Sequence, residues 1–176
     1  RRSGQMEFAG RKIEVIDLPG LYSLAPRSRD DMVAVDVLLG RQDGVRPVDL
    51  IVCVLDAANL GRNLYLVSQV LELGLPTVVA LNMMDLAESR GVQIDCDRLA
   101  ERLGVPVVAT QAVRHVGIAE LKAAMHRAAD QKVREYPSPL PPVFRQEIDR
   151  LAAWFLKPSN GSPGRVVARP LLERLV

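Results

Sequence analysis

Thr77-Val78-Val79-Ala80-Leu81-Asn82-Met83-Met84-Asp85 decides the fold. Pro76 precedes five uncharged residues, mostly β-branched or aliphatic, and polar Asn82 follows them, so residues 77–81 read as a buried strand. Upstream, Leu64, Val67 and Leu71 with Val70 and Leu73 form a helical stripe, stopped by Gly74 and Pro76. Before that stripe, residues 50–55 are another buried strand, five of the six drawn from Val, Ile and Leu. Downstream come a helix over about 97–103 with Gly104 past its end, a strand over 105–109 and a helix over about 118–129. This alternation predicts an α/β fold, a mostly parallel sheet with helices on both faces that binds its ligand beyond the carboxyl ends of the strands. Asp17, Asp56, Asn82 and Thr110 fall at such ends.

Toward the N-terminus, residues 6–8 and 12–17 flank Ala9-Gly10 and read as a hairpin with a two-residue turn. Ser28 is a cap for a helix carrying Met32, Val35, Val37, Leu38 and Leu39, and Asp30-Asp31 suits its first turn. Pro137-Ser138-Pro139-Leu140-Pro141-Pro142 continues neither helix nor sheet, which places a domain end near 136 and a linker over 137–142. Over 143–176, Phe144, Ile148, Leu151 and Phe155 recur at helical spacing, and Trp154 and Phe155 are expected to pack within that helical part.

Lys and Arg number 23 against 21 Asp and Glu, a formal charge of +2, so no large basic field points to nucleic acid as a partner. Cys53 and Cys96 lack C-x-x-C spacing, which speaks against a disulfide framework or a zinc site. His115 and His126 lack ligand-spaced partners. The apolar runs are strand-sized, so this segment is expected to be soluble. The start Arg1-Arg2-Ser3-Gly4 resembles neither a signal peptide nor a natural initiator, so the chain reads as a segment of a longer protein.

Two motifs carry chemistry. Asp17-Leu18-Pro19-Gly20 follows an apolar run, and Asn82-Met83-Met84-Asp85 follows another. About 0.8 D-x-x-G matches are expected by chance in this composition, so the strand-end position and the order of the two motifs carry the reading. An Asp at a strand end holds Mg²⁺ through water, and Gly20 lets its backbone N–H approach a terminal phosphate. Residues 18–28 are then the candidate switch, ordered or released with that phosphate. The Asp85 carboxylate offers two acceptors to the N1–H and N2–H₂ donors of guanine, a pair adenine lacks. Met83 stands where many GTPases have Lys, and its thioether can pack on the base. Gln111-Ala112, after the strand ending near Ala109, is a looser third base-recognition element, equally readable as an ordinary loop; Asn59 reads equally as a helix cap near Gly61. No G-x-x-x-x-G-K-[ST] phosphate-binding loop occurs in these residues.

Three strings carry a family resemblance: Ile16-Asp17-Leu18-Pro19-Gly20-Leu21-Tyr22-Ser23-Leu24; Asp56-Ala57-Ala58-Asn59-Leu60 with Arg62-Asn63-Leu64-Tyr65-Leu66; and Ala80-Leu81-Asn82-Met83-Met84-Asp85-Leu86. Over about residues 5–130 the chain resembles the G domain of the bacterial ferrous iron transport protein B family, with a looser likeness beyond the prolines to the helical domain that follows in that family. The resemblance implies a Ras-like, P-loop-NTPase-like fold, with residues 1–136 as a G domain shortened at its N-terminus and 143–176 as the start of a GDI-like helical domain. It implies a GTP hydrolase at the cytoplasmic face of the bacterial inner membrane, joined in one polypeptide to a membrane transport domain for Fe²⁺ and regulating its uptake. By carry-over, Asp17, Leu18, Pro19 and Gly20 serve Mg²⁺ and the γ-phosphate, with Asp17 on the metal through water. Asn82, Met83, Met84, Asp85, Gln111 and Ala112 serve the guanine of GTP or GDP. Leu21 occupies the place of the water-orienting Gln of Ras-like proteins, which leaves the catalytic residue unassigned and implies slow hydrolysis. Without a phosphate-binding loop and first switch, the segment alone is expected to be inactive and to bind nucleotide weakly. Two other readings compete. One is a ribosome-assembly GTPase, disfavoured by Met83 and the small charge; the other is an α/β interaction module that no longer binds nucleotide.

Overall fold

The computed structural model describes residues 2–42 and 44–130, with Gln146, Asp149, Arg150 and Ala153 beyond them. The chain divides into two compact units, residues 1–71 with 75–134, and residues 72–74 with 135–176. In the second, the four described residues beyond 130 are helical. The linker over 137–142, the helical spacing of Phe144, Ile148, Leu151 and Phe155, and the packing expected of Trp154 and Phe155 lie outside the described residues.

The first unit opens with β1 (Arg2–Phe8) and β2 (Arg11–Asp17), antiparallel and in register from Arg2 opposite Asp17 to Phe8 opposite Arg11. Ala9 and Gly10 both have positive φ, 50° and 76°, the pattern of a type I′ turn whose twist matches that of the strands. The strands are longer than the apolar pattern predicts, because the ladder continues through polar Arg2, Ser3 and Gln5. They form a two-stranded sheet of their own. Helix α1 (Arg29–Leu38) follows, capped as expected: the Ser28 hydroxyl accepts the Asp31 N–H at 3.1 Å while the Asp31 carboxylate accepts the Ser28 N–H at 3.0 Å.

The α/β rhythm then runs β3 (Ile51–Asp56), α2 (Leu60–Leu71), β4 (Thr77–Asn82), α3 (Met84–Ser89), α4 (Cys96–Leu103), β5 (Val107–Ala109) and α5 (Ile118–Ala129). The three strands are parallel in the order β3-β4-β5, with Ile51 opposite Thr77 and Val79 opposite Val107. Side chains alternate across a strand, so Ile51, Cys53 and Leu55 share a face with Thr77, Val79 and Leu81. All six are buried. On the other face Val78 packs with Ala124 and Ala128 of α5, joined by Leu50, Val108 and Leu121. Small alanines let α5 approach β4 closely, and Val78, Val79 and Leu81 are wholly shielded from water. Burying each such aliphatic side chain contributes about 1.5–3 kcal/mol, so β4 is the centre of the core. The hairpin is tied to α5: the Phe8 ring meets that of His126 edge-on at 6.1 Å, and Arg11 pairs with Asp130 at 2.8 Å.

Three local expectations change. α2 begins at Leu60, preceded by a 3₁₀ turn over Ala57–Asn59 whose cap is Asp56, so Asn59 is not the cap. Its amide instead donates to the Asp56 carboxylate at 2.7 Å. Helix α3 was not expected; its six residues are too few to show a helical period. Strand β5 begins at Val107 rather than 105, although the Pro106 carbonyl already accepts the Val79 N–H at 2.9 Å. Proline can lend that acceptor but has no N–H to return.

Candidate functional site

Every motif residue picked out at a strand end lies there: Asp17 ends β2, Asp56 ends β3, Asn82 ends β4, and Thr110 follows β5. Asn82 joins two of these loops. Its Oδ1 accepts the Ala112 N–H at 3.0 Å and lies 3.4 Å from the Thr110 hydroxyl, which also reaches the Leu81 carbonyl at 3.3 Å. The Thr110 N–H donates to that same carbonyl at 2.8 Å. Both neighbours of Oδ1 are donors, so the amide has one sensible orientation and its Nδ2 is left for another partner.

Met83 turns the chain into α3 with φ 61°, left-handed geometry that costs a side-chain-bearing residue about 1 kcal/mol or more. Its side chain is half exposed. Met84 and Asp85 open α3, where an acidic side chain suits the positive helix end. Asp85 is exposed, and among the described residues no hydrogen bond or ion pair engages its carboxylate. Gln111 precedes a 3₁₀ turn over Ala112–Arg114, and the loop is pinched shut by a bridge between Gln111 and Val116. Gly117 then opens α5 with φ 78°, and a Cβ there would run into the Ala109 carbonyl. Only glycine lets the end of β5 and the start of α5 come this close.

Among the described residues no hydrogen bond or ion pair joins Asp17-Leu18-Pro19-Gly20 to Asn82-Met83-Met84-Asp85 or to Gln111-Ala112. Asp17 is exposed and, among the described residues, no hydrogen bond or ion pair engages its carboxylate; Leu18 and Pro19 are half buried; Gly20 is exposed with open space where a Cβ would sit. A single carboxylate with nothing competing for it fits Mg²⁺, which keeps several waters and takes one or two carboxylates beside phosphate oxygens. Among the described residues no three His, Cys, Asp or Glu gather into a metal-binding group.

The candidate switch is held by α2. The Leu24 N–H donates to Gln69 Oε1 at 2.6 Å, and both residues are buried. The Arg62 guanidinium lies over the Tyr22 ring, 4.1 Å from its centroid. Sequence reasoning passed over Gln69; an amide set directly before Val70 and Leu71 on the buried side of α2 is the signal that marks it. At the end of β3, the Asp56 carboxylate accepts the Ala58 N–H at 2.8 Å and the Asn59 amide at 2.7 Å, so it is committed to capping, while Asn63 donates to the backbone carbonyls of Asp56 and Asn59. Burial pushes the Cys53 thiol in β3 up to about 12. No helix among the described residues is long and apolar enough to cross a membrane.

Known proteins resemble this chain in sequence and fold. The family description "Ferrous iron transport protein B" matches residues 1–125. The Fe(2+) transporter FeoB of Salmonella typhimurium is 43% identical over 147 residues, 80% of this chain and 18% of that protein. The chain thus spans about a fifth of the length of such relatives. The FeoB G-domain from Methanococcus jannaschii is 44% identical with a TM-score of 0.68, covering 74% of this chain and 81% of that one. The cytosolic domain of the Thermotoga maritima FeoB iron transporter in its GMPPNP form is 31% identical with a TM-score of 0.77, covering 98% and 65%. The α/β fold is accordingly the P-loop-NTPase-like fold of those G domains. With more than half of its residues matched, the chain belongs to the ferrous iron transport protein B family.

Proposed function

We propose that this chain is the guanine-nucleotide-binding part of the GTP-dependent switch that regulates a bacterial ferrous iron transporter. The observation that carries the reading is the Asn82 to Ala112 hydrogen bond, which draws the loops after β4 and β5 together, with Asp85 three residues after Asn82 and engaged by no hydrogen bond or ion pair among the described residues. Asp85 selects guanine by accepting its two donors, Asn82 Nδ2 and the Gln111-Ala112 backbone complete the edge, and Met83 packs on the ring. Asp17 takes Mg²⁺ through water, and the Gly20 N–H faces the terminal phosphate. Bound Mg²⁺ would offset the charge of the phosphates during hydrolysis. The GMPPNP form of the Thermotoga maritima relative supports a guanine nucleotide as ligand. In the whole protein this G domain, residues 1–136, lies at the cytoplasmic face of the inner membrane, joined through 137–142 and a helical domain from 143 to the part that carries Fe²⁺. Family membership removes the ribosome-assembly alternative.

No phosphate-binding loop occurs in the sequence, so most of the contacts to phosphate are missing and the chain alone binds weakly and does not turn over. Calorimetric titration with GTP is expected to show no micromolar affinity. NMR titration at millimolar GDP is expected to shift residues 82–85 and 110–112, with ADP leaving them in place. Equal shifts with ADP, or none with GDP, would overturn the guanine site.

A further inference from the structure

We propose that the segment after Asp17 is a strap held to α2 at two points of unequal strength: a fixed anchor at Leu24 on Gln69, and a releasable clasp at Tyr22 on Arg62. Gln69 and Arg62 are seven residues, two turns, apart and so share one face of α2. The anchor is buried: Leu24 is 6% exposed and Gln69 3%. Parting them would strand an amide oxygen and a backbone N–H out of water. Beyond the anchor the chain stays fixed, because the Asp31 carboxylate accepts the N–H groups of Arg27 and Ser28 at 3.0 Å each. The clasp is its opposite. Tyr22 is 66% exposed and Arg62 is on the surface, so their contact lies in water and is weak. Between Asp17 and the clasp, Gly20 has free space around its Cα. A pull on the Gly20 N–H therefore opens the clasp and moves residues 18–23, while residues 24–28 stay with α1 and α2. Motion is confined to the first half of the candidate switch. Its use by a phosphate rests on the nucleotide reading above; the strap itself does not.

NMR on the chain tests it, through backbone order parameters over 18–28 and hydrogen exchange of the Leu24 amide. In the unaltered chain the Leu24 amide is protected by about tenfold or more. Arg62→Ala or Tyr22→Leu is expected to populate the open strap about two- to five-fold more, lowering order at residues 20–23 with Leu24 exchange unchanged. Gln69→Met is expected to speed Leu24 exchange about tenfold or more. Should Gln69→Met not fold, protection of Leu24 in the unaltered chain and in the two clasp variants decides. The strap is overturned if Leu24 is unprotected, if a clasp variant releases Leu24 as well, or if residues 20–23 do not respond. A titration with the Mg²⁺ salt of GMPPNP separates the two ideas. Shifts at residues 17–23 with Leu24 still protected support both, shifts that free Leu24 overturn the strap, and no shift at residues 17–20 overturns the phosphate reading alone.

Discussion

The side-chain oxygen of Asn82 accepts the backbone N–H of Ala112 at 3.0 Å, across 30 residues of sequence. One amide at the end of β4 thereby sets the position of a loop that follows β5. Asn82→Ala removes this acceptor and is expected to cost about 1 kcal/mol of stability, read as a lower urea midpoint. The Ala112 amide should exchange faster in that variant, while Asn82→Asp, which keeps an acceptor, retains most of the protection. Equal exchange in Asn82→Ala and the unaltered chain would dissolve the link.

Gly117 is the tightest backbone approach near this loop. Its φ of 78° strains any other residue, and a Cβ there meets the Ala109 carbonyl. Gly117→Ala is therefore expected to destabilise by about 2 kcal/mol or more, adding left-handed strain to a displaced strand end. Gly20→Ala, with open space and no positive φ, is the control, and its melting temperature should stay close to that of the unaltered chain. A Gly117→Ala protein melting no lower than Gly20→Ala contradicts the packing.

Met83 holds a left-handed φ of 61° at the start of α3. Met83→Gly removes that strain and is expected to stabilise the chain by about 0.5–1 kcal/mol, provided the half-exposed side chain contributes little packing. The same substitution should weaken GDP binding if the thioether covers the base. Thermal melting reads the first effect and NMR titration at millimolar GDP the second.

Asp31 ties stability to pH. The backbone N–H of Arg27, with the hydroxyl and N–H of Ser28, holds its carboxyl below the usual carboxylate range. A folded pKa lower than the unfolded one gives stabilisation that is present above the ordinary value of about 4 and is lost as pH falls through the folded value. Asp31→Asn should accordingly lower the urea midpoint at neutral pH, and the gap should close on acidification toward about pH 3. A gap that is constant with pH would count against the carboxylate's role in the cap.

The two thiols should react unequally. Cys53, buried in β3 with its pKa pushed to about 12, is closed to iodoacetamide in the native chain and opens only on unfolding. Cys96 is half buried, and burial followed by the charges of Asp97 and Asp95 raises its pKa too. It is reachable, so alkylation at about pH 9 should modify Cys96 alone, with peptide mass spectrometry as the readout.

Much of the fold was legible because it is local. Ala9-Gly10 between two strands specified a turn, Ser28 with Asp31 specified a helix start, and the run from Thr77 to Leu81 specified a strand within one residue of its end. Helix α5 matched the predicted 118–129, with Gly117 at its start. α3 escaped because six residues show no period, and Asn59 was misjudged because a 3₁₀ turn capped by Asp56 runs straight into α2, leaving no helix start near Gly61 to cap.

Periodicity, turn chemistry and strand-end position in the sequence alone determined the α/β alternation, the hairpin, the caps and the strand ends at which the candidate nucleotide residues stand. Tertiary structure alone decided which of them meet: Asn82 with Ala112, Leu24 with Gln69 across 45 residues, Phe8 with His126, and Gly117 against Ala109. The physical reason is range. Backbone preference and hydrophobic period act over a few residues and leave a pattern in the chain, whereas a hydrogen bond between loops depends on where the packed core brings two strand ends, and that leaves no spacing to read.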